Sequence, residues 1–105
     1  MATQVLTAAN YEEQIAGTHK LVLLDFWNSD CGVCKNLAPI IDEIADERDD
    51  VEVYSVHAEE SPEIGSKYLV MTVPTILFIK DGTVKKRTIG FKSKDSLLDI
   101  IDTYS

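Results

Sequence analysis

Leu21-Val22-Leu23-Leu24 is an unbroken apolar run within Lys20 to Trp27. A strand with one wet face alternates apolar and polar side chains, so a run without alternation predicts a central strand covered on both faces. That demands helices on each side of a sheet. A chain of 105 residues is long enough to bury such a core without covalent staples, and one domain spanning residues 1–105 is expected.

Gln4 to Leu6 predicts a short strand, and Thr7 can cap a helix over Ala8 to Ala16 that stops at Gly17. From about Cys34 to Arg48, Leu37, Ile40, Ile41, Ile44 and Ala45 recur at helical spacing. Pro39 cannot donate to the carbonyl of Lys35, which predicts a kink there. Val51 to Val56 predicts a third strand, and Ser61-Pro62 opens a short helix to about Tyr68. Thr75 to Lys80 and Thr83 to Ile89, joined by Asp81-Gly82, predict a hairpin. Ser93 caps a closing helix with Leu97, Leu98, Ile101 and Tyr104 on its apolar face. The expected class is α/β, a mixed sheet with helices on both sides.

Both cysteines fall in Cys31-Gly32-Val33-Cys34, between the central strand and the long helix. Thiols three positions apart at a helix start share a face of the first turn, close enough to bond reversibly. Cys31, at the N-terminal end, meets free N–H groups and the positive end of the helix dipole, which favour the attacking thiolate. Cys34, one turn in, is expected to be more buried. A purely structural bridge across so short a loop stabilises little by chain entropy. A zinc site lacks paired ligands, because His19 and His57 are isolated from each other and from the cysteines, so no metal is expected. An inert buried pair has no need of this position.

Ten basic against eighteen acidic residues leave a net charge of −8, which opposes binding to nucleic acid and anionic membranes. No segment approaches a membrane span, and Met1 to Leu6 has neither a basic nor a long apolar stretch, so no secretory signal is expected. The expected compartment is the cytoplasm, where thiols are kept reduced and a cysteine pair is more often catalytic than structural.

Asp25-Phe26-Trp27, Cys31-Gly32-Val33-Cys34-Lys35, Ala38-Pro39, Val73-Pro74-Thr75, Asp81-Gly82 and Gly90 stand in an order and spacing that resembles the thioredoxin family over essentially the whole chain. The resemblance implies the thioredoxin fold, about five strands and four helices in the order βαβαβαββα. It also implies a dithiol–disulfide oxidoreductase in which Cys31 attacks a substrate disulfide and Cys34 resolves the mixed disulfide. No bound cofactor is implied. Electrons would come from NADPH through a thioredoxin reductase, the other partners being disulfide-containing proteins, and a monomer is expected.

Asp25 is an acid in an apolar strand, where an unpaired charge is costly, so that either its pKa is raised or the carboxylate reaches solvent at the strand end; the resemblance implies a proton shuttle toward Cys34. Similarity also implies a cis Val73–Pro74 bond facing the cysteines, with the Val73 backbone pairing an extended substrate segment and Gly90 flanking the same groove. Trp27 resembles the family's tryptophan beneath the active-site loop, and Gly32 would permit close approach of a substrate backbone. Lys35 and His57 read as surface residues.

Three positions depart from the family pattern. Val33 stands where proline is usual and restores an N–H that can donate to the Cys31 thiolate, worth about 1.5–3 kcal/mol when well formed. Asp30 stands where tryptophan is usual; at roughly 6 Å in water its charge opposes the thiolate by about 0.7 kcal/mol before screening. The hydrogen bond should prevail and raise the potential some tens of millivolts above the reference value for thioredoxin itself, about −270 mV. Ser55 occupies the place of a lysine often found near the buried carboxylate, so Asp25 should stay protonated to higher pH than in lysine-containing relatives. Asp30 and Val33 also motivate an alternative, a specialised electron donor or disulfide-exchange protein with a narrow partner range. A scaffold without turnover would not need both cysteines.

Overall fold

A computed structural model describes residues 3–105, so the first two residues of the expected domain lie outside the description. The elements run β1 (Gln4–Val5), α1 (Tyr11–Ala16), β2 (Leu21–Trp27), α2 (Gly32–Glu47), β3 (Val51–His57), α3 (Pro62–Lys67), β4 (Thr75–Lys80), β5 (Thr83–Ile89) and α4 (Lys94–Tyr104). They form one five-stranded sheet in the order β1-β3-β2-β4-β5. The β1–β3 and β3–β2 pairs are parallel, while β2–β4 and β4–β5 are antiparallel. This is the thioredoxin fold.

The apolar run sits in the strand that the pattern demanded. Leu21 and Leu23 of β2 join a cluster with Leu37, Ile41 and Ile44 of α2 and Leu97 and Ile101 of α4. Val22, Leu24 and Phe26 join Ile15 of α1 and Ile64 of α3 on the other face. Successive side chains of a strand point to opposite faces, so a strand between two helical layers must be apolar at nearly every position. Asp25 is the exception, and its parity turns it toward α2.

Two helix starts differ from the sequence reading. Helix α1 begins at Tyr11, with Asn10 at its cap position, while Ala8–Asn10 form a turn. The Asn10 side-chain oxygen accepts the Thr7 N–H at 2.8 Å, and the Thr7 carbonyl accepts the Tyr11 N–H at 3.0 Å. Asparagine closes this local turn by bonding back to the preceding backbone, in competition with helix. Helix α2 starts at Gly32, two residues before the expected point, because Cys31 itself serves as N-cap. It continues through Pro39 as one helix of 16 residues. Ser93 caps α4 as expected, its hydroxyl accepting the Ser96 N–H.

Helix α3 ends in a Schellman turn, with Val70 N–H donating to the Gly65 carbonyl at 2.8 Å and Leu69 N–H to Ser66 at 3.3 Å. The position that usually takes glycine is Leu69, at φ 56°. Arg87 of β5 donates to the carbonyls of Tyr68 and Leu69 and holds the turn in place.

Candidate active site

The register sets the site at one end of the sheet. Trp27 pairs with His57, Phe26 with Thr75, and Thr75 with Ile89, which brings the ends of β2 and β3, the start of β4 and the end of β5 side by side. The chain leaves β2 at Trp27, crosses Asn28–Asp30 and enters α2 at Cys31. Val73 and Pro74 precede β4, and Gly90 follows β5.

Cys31 and Cys34 are joined in a disulfide, with Cα atoms 5.3 Å apart. Cys31 is half-buried, whereas Cys34 is only 3% exposed beneath the first turn of α2. As the N-cap residue, Cys31 presents Sγ to the open amides of that turn, and Sγ accepts the Cys34 N–H at 3.1 Å. In the disulfide the donor is Cys34, which occupies the third helical position, within natural reach of an N-cap side chain. The bond expected from the Val33 N–H is one to the thiolate, which belongs to the reduced protein.

Asp25 lies below this pair. It is 4% exposed, and its Oδ1 has no hydrogen-bond partner among the described residues. A cavity of about 230 Å³ opens beside it, lined by Asp25, Cys34, Lys35, Asp42 and Ser55 among others. Burial pushes the Asp25 carboxyl from 3.8 up to about 7, and the charge of Asp42 pushes in the same direction. Ser55 is the register partner of Asp25 on β3. Asp42 went unnoticed in the sequence, although Cys34, Ala38, Ile41 and Asp42 share a helix face by spacing. Lys35, read as a solvated residue, also lines the cavity.

Trp27 is half-buried and meets the His57 ring edge-on, with centroids 4.6 Å apart and planes at 85°. The surface reading of His57 therefore needs correction: it is half-buried and ties three segments together. Its Nε2 lies 2.9 Å from Ser29 Oγ, and its Nδ1 accepts the Glu60 N–H at 3.2 Å. With Nδ1 accepting, the neutral ring carries its proton on Nε2 and donates to Ser29. Asn28 Oδ1 accepts the Glu59 N–H at 3.1 Å, and the Trp27 carbonyl accepts the Ala58 N–H at 2.9 Å. The loop before the cysteines is thereby pinned to the loop after β3. Parallel pairing of β2 with β3 brings these residues together, which no local sequence signal contains.

The Val73–Pro74 bond is cis. Pro74 is buried and Val73 half-buried. The Pro74 carbonyl accepts the Gly90 N–H at 2.9 Å. Gly90 adopts φ +85°, which requires glycine there although a Cβ would meet no atom within 4 Å. Gly32 is exposed with open space around it, and Asp30 is exposed. Among the described residues, no group of acidic, histidine or cysteine side chains is arranged to hold a metal ion, and no helix is long and apolar enough to cross a membrane.

Comparison with known proteins agrees with this architecture. The sequence model of the Thioredoxin family matches residues 2–103. A thioredoxin of Rickettsia felis is 41% identical over 103 residues, covering 97% of each chain. The chloroplastic M-type thioredoxin of Pisum sativum is 37% identical over 102 residues, which span 96% of this chain and 59% of the pea protein. In structure, the chain superposes on a mutant thioredoxin of Halobacterium salinarum with a TM-score of 0.89 at 26% identity, covering 97% of this chain and 89% of that one. Sequence, fold and the redox-active cysteine pair lead to one conclusion: the chain belongs to the thioredoxin family and is a dithiol–disulfide oxidoreductase.

Proposed function

We propose that the chain is a general cytoplasmic disulfide reductase in which Cys31 is the nucleophile, Cys34 the resolving thiol and Asp25 the proton shuttle. The observation that carries this is the asymmetry of the pair, with Cys31 accessible at the helix N-cap and Cys34 buried over the cavity that holds Asp25. The Cys31 thiolate attacks one sulfur of a substrate disulfide. That bond breaks, a Cys31–substrate disulfide forms, and the leaving sulfur departs as a thiolate that takes a proton from solvent. Cys34 then gives its proton to the Asp25 carboxylate and attacks Cys31 Sγ, which releases the second substrate thiolate. Two electrons pass from the protein dithiol to the substrate.

A carboxyl with a pKa of about 7 suits this relay, since it accepts and returns a proton near neutral pH. Val73, Pro74 and Gly90 form the flank against which an extended substrate segment lies, its main chain bonding to the Val73 backbone. Trp27 supports the loop, while Gly32, Val33 and Asp30 shape what reaches Cys31. A flavin-containing thioredoxin reductase restores the dithiol with electrons from NADPH, and the protein acts as a monomer. Cytoplasmic thiols stay reduced, which suits this placement.

The test is equilibration in graded thiol–disulfide buffers, read by Trp27 fluorescence and a count of reactive thiols. A reversible two-electron transition between about −270 and −230 mV is expected; one near about −180 mV would move the protein to the exchanger class, and none at all would overturn the enzyme reading. Trapping partners on a Cys34→Ser variant then measures the breadth of its substrates.

A further inference from the structure

Charge is distributed unevenly along this acidic chain. Residues 80–94 hold six of the ten cations and one of the eighteen acids, a net +5 within a total of −8. Lys94 is taken up by Glu43 and Glu47 of α2, and Arg87 by the carbonyls at the end of α3. Among the described residues, Lys80, Lys85, Lys86 and Lys92 pair with no carboxylate, although Lys20, Arg48 and Lys94 each do.

Lys85 and Lys86 lie on β5, an edge strand bonded to β4 alone. A register shift at Phe78/Ile79 leaves Lys85 without a partner there. Lys86 and Lys92 face a groove between β5 and α4, where Ser96 adds a hydroxyl and Asp99 is the one acid in the lining. The strip begins at the active site, because β5 ends at Ile89 and the next residue, Gly90, bonds to Pro74. Four residues of strand separate Gly90 from Lys86, about 13 Å. Asp30, exposed, directly precedes Cys31.

We infer that the outer edge of β5, with Lys85, Lys86 and Lys92, docks an acidic extended segment of the protein whose disulfide is reduced, an inference that rests on the reductase reading. The edge supplies unpaired backbone groups for strand addition, and the lysines supply the complementary charge and steer encounter. Asp30 sets the polarity: acids next to the substrate cysteine meet repulsion, whereas acids about four residues away meet lysines. Lysines on an edge strand also guard against aggregation, and the experiment separates the two roles.

Two disulfide-linked peptides are compared, identical except for four glutamates or four glutamines starting four residues from the cysteine, with reduction followed by Trp27 fluorescence. Wild type should reduce the glutamate peptide about tenfold faster in kcat/KM at low salt, with the advantage fading as salt rises. In Lys85→Glu/Lys86→Glu the advantage should vanish and the glutamine peptide should react as before, while Lys85→Gln/Lys86→Gln falls between. The inference is overturned if wild type reduces the glutamine peptide normally yet shows no preference. It is equally overturned if the charge-reversed variant keeps the preference, whether or not it self-associates, since the lysines would then only guard the edge. Competition by an oligonucleotide as strong as that of the glutamate peptide would reassign the strip to polyanions in general. Failure of wild type on both peptides would sink the reductase reading and the docking inference with it.

Discussion

The indole of Trp27 packs edge-on against the imidazole of His57, 4.6 Å between centroids, because β2 and β3 run parallel with these two residues in register. His57→Ala removes that contact and strands Ser29 and the Glu60 N–H. An edge-to-face pair is worth about 0.5–1.5 kcal/mol and each hydrogen bond about 0.5–1.5 kcal/mol, so a loss of about 2 kcal/mol in urea unfolding is expected. His57→Phe should recover the part due to the ring. An alanine variant as stable as wild type would show that the loop is held by other contacts.

Asp25 makes stability depend on pH in a defined direction. Its folded pKa of about 7 lies above the ordinary 3.8, so between these values the folded state binds more protons than the unfolded chain. Stability conferred by the protonated form is complete below about pH 4 and declines as pH rises to about 7, by a total on the order of 4 kcal/mol. Asp25→Asn should abolish this slope in the oxidised protein, and the variant should gain on wild type as pH rises from 5 to about 8. Ser55→Lys, which sets a cation at the register partner of Asp25, should lower the folded pKa and so bring the upper end of the slope down by about one pH unit, leaving its lower end in place. Parallel unfolding curves for wild type and Asp25→Asn across that range would contradict the assignment.

Asp30 precedes Cys31 on the exposed side of the loop. Removing its charge with Asp30→Asn should increase the alkylation rate of Cys31 in the reduced protein about threefold at neutral pH and low salt, since about 0.7 kcal/mol of repulsion is relieved. The gain should shrink in high salt. A salt-independent change would point to altered loop structure instead of charge.

Leu69 holds a left-handed backbone conformation at φ 56° with its side chain exposed. For a residue with a Cβ this costs roughly 1–2 kcal/mol, against about 0.5–1 kcal/mol for the greater chain entropy of glycine. Leu69→Gly should therefore stabilise the protein by about 0.5–1 kcal/mol in chemical denaturation. Destabilisation would mean that the leucine side chain makes contacts that outweigh its backbone cost.

The layered architecture was legible because it is written in local periodicity. The unalternating run of β2 required cover on both faces, and the helical spacing of Leu37, Ile41 and Ile44 supplied one cover. The cap at Ser93 and the hairpin through Asp81-Gly82 followed from residue types whose preferences act within a few positions. Thr7 misled, since asparagine three residues on offered a competing local bond. That Cys34 N–H reaches Cys31 Sγ in the disulfide was not legible, because an N-cap side chain selects among first-turn amides by geometry that spacing does not resolve.

By itself, the sequence determined the sheet with two helical faces, the helix-start placement of Cys31 and Cys34, and the family to which these residues belong, all through patterns of neighbours along the chain. Only the tertiary structure decided that His57 supports Trp27, that Asp42 shares a cavity with Asp25 and Cys34, and that the lysines of β5 line an open edge leading from Gly90. Those relationships come from strand register and helix docking. They join residues tens of positions apart, or select one face of a helix, and their energies exist only once the layers are packed.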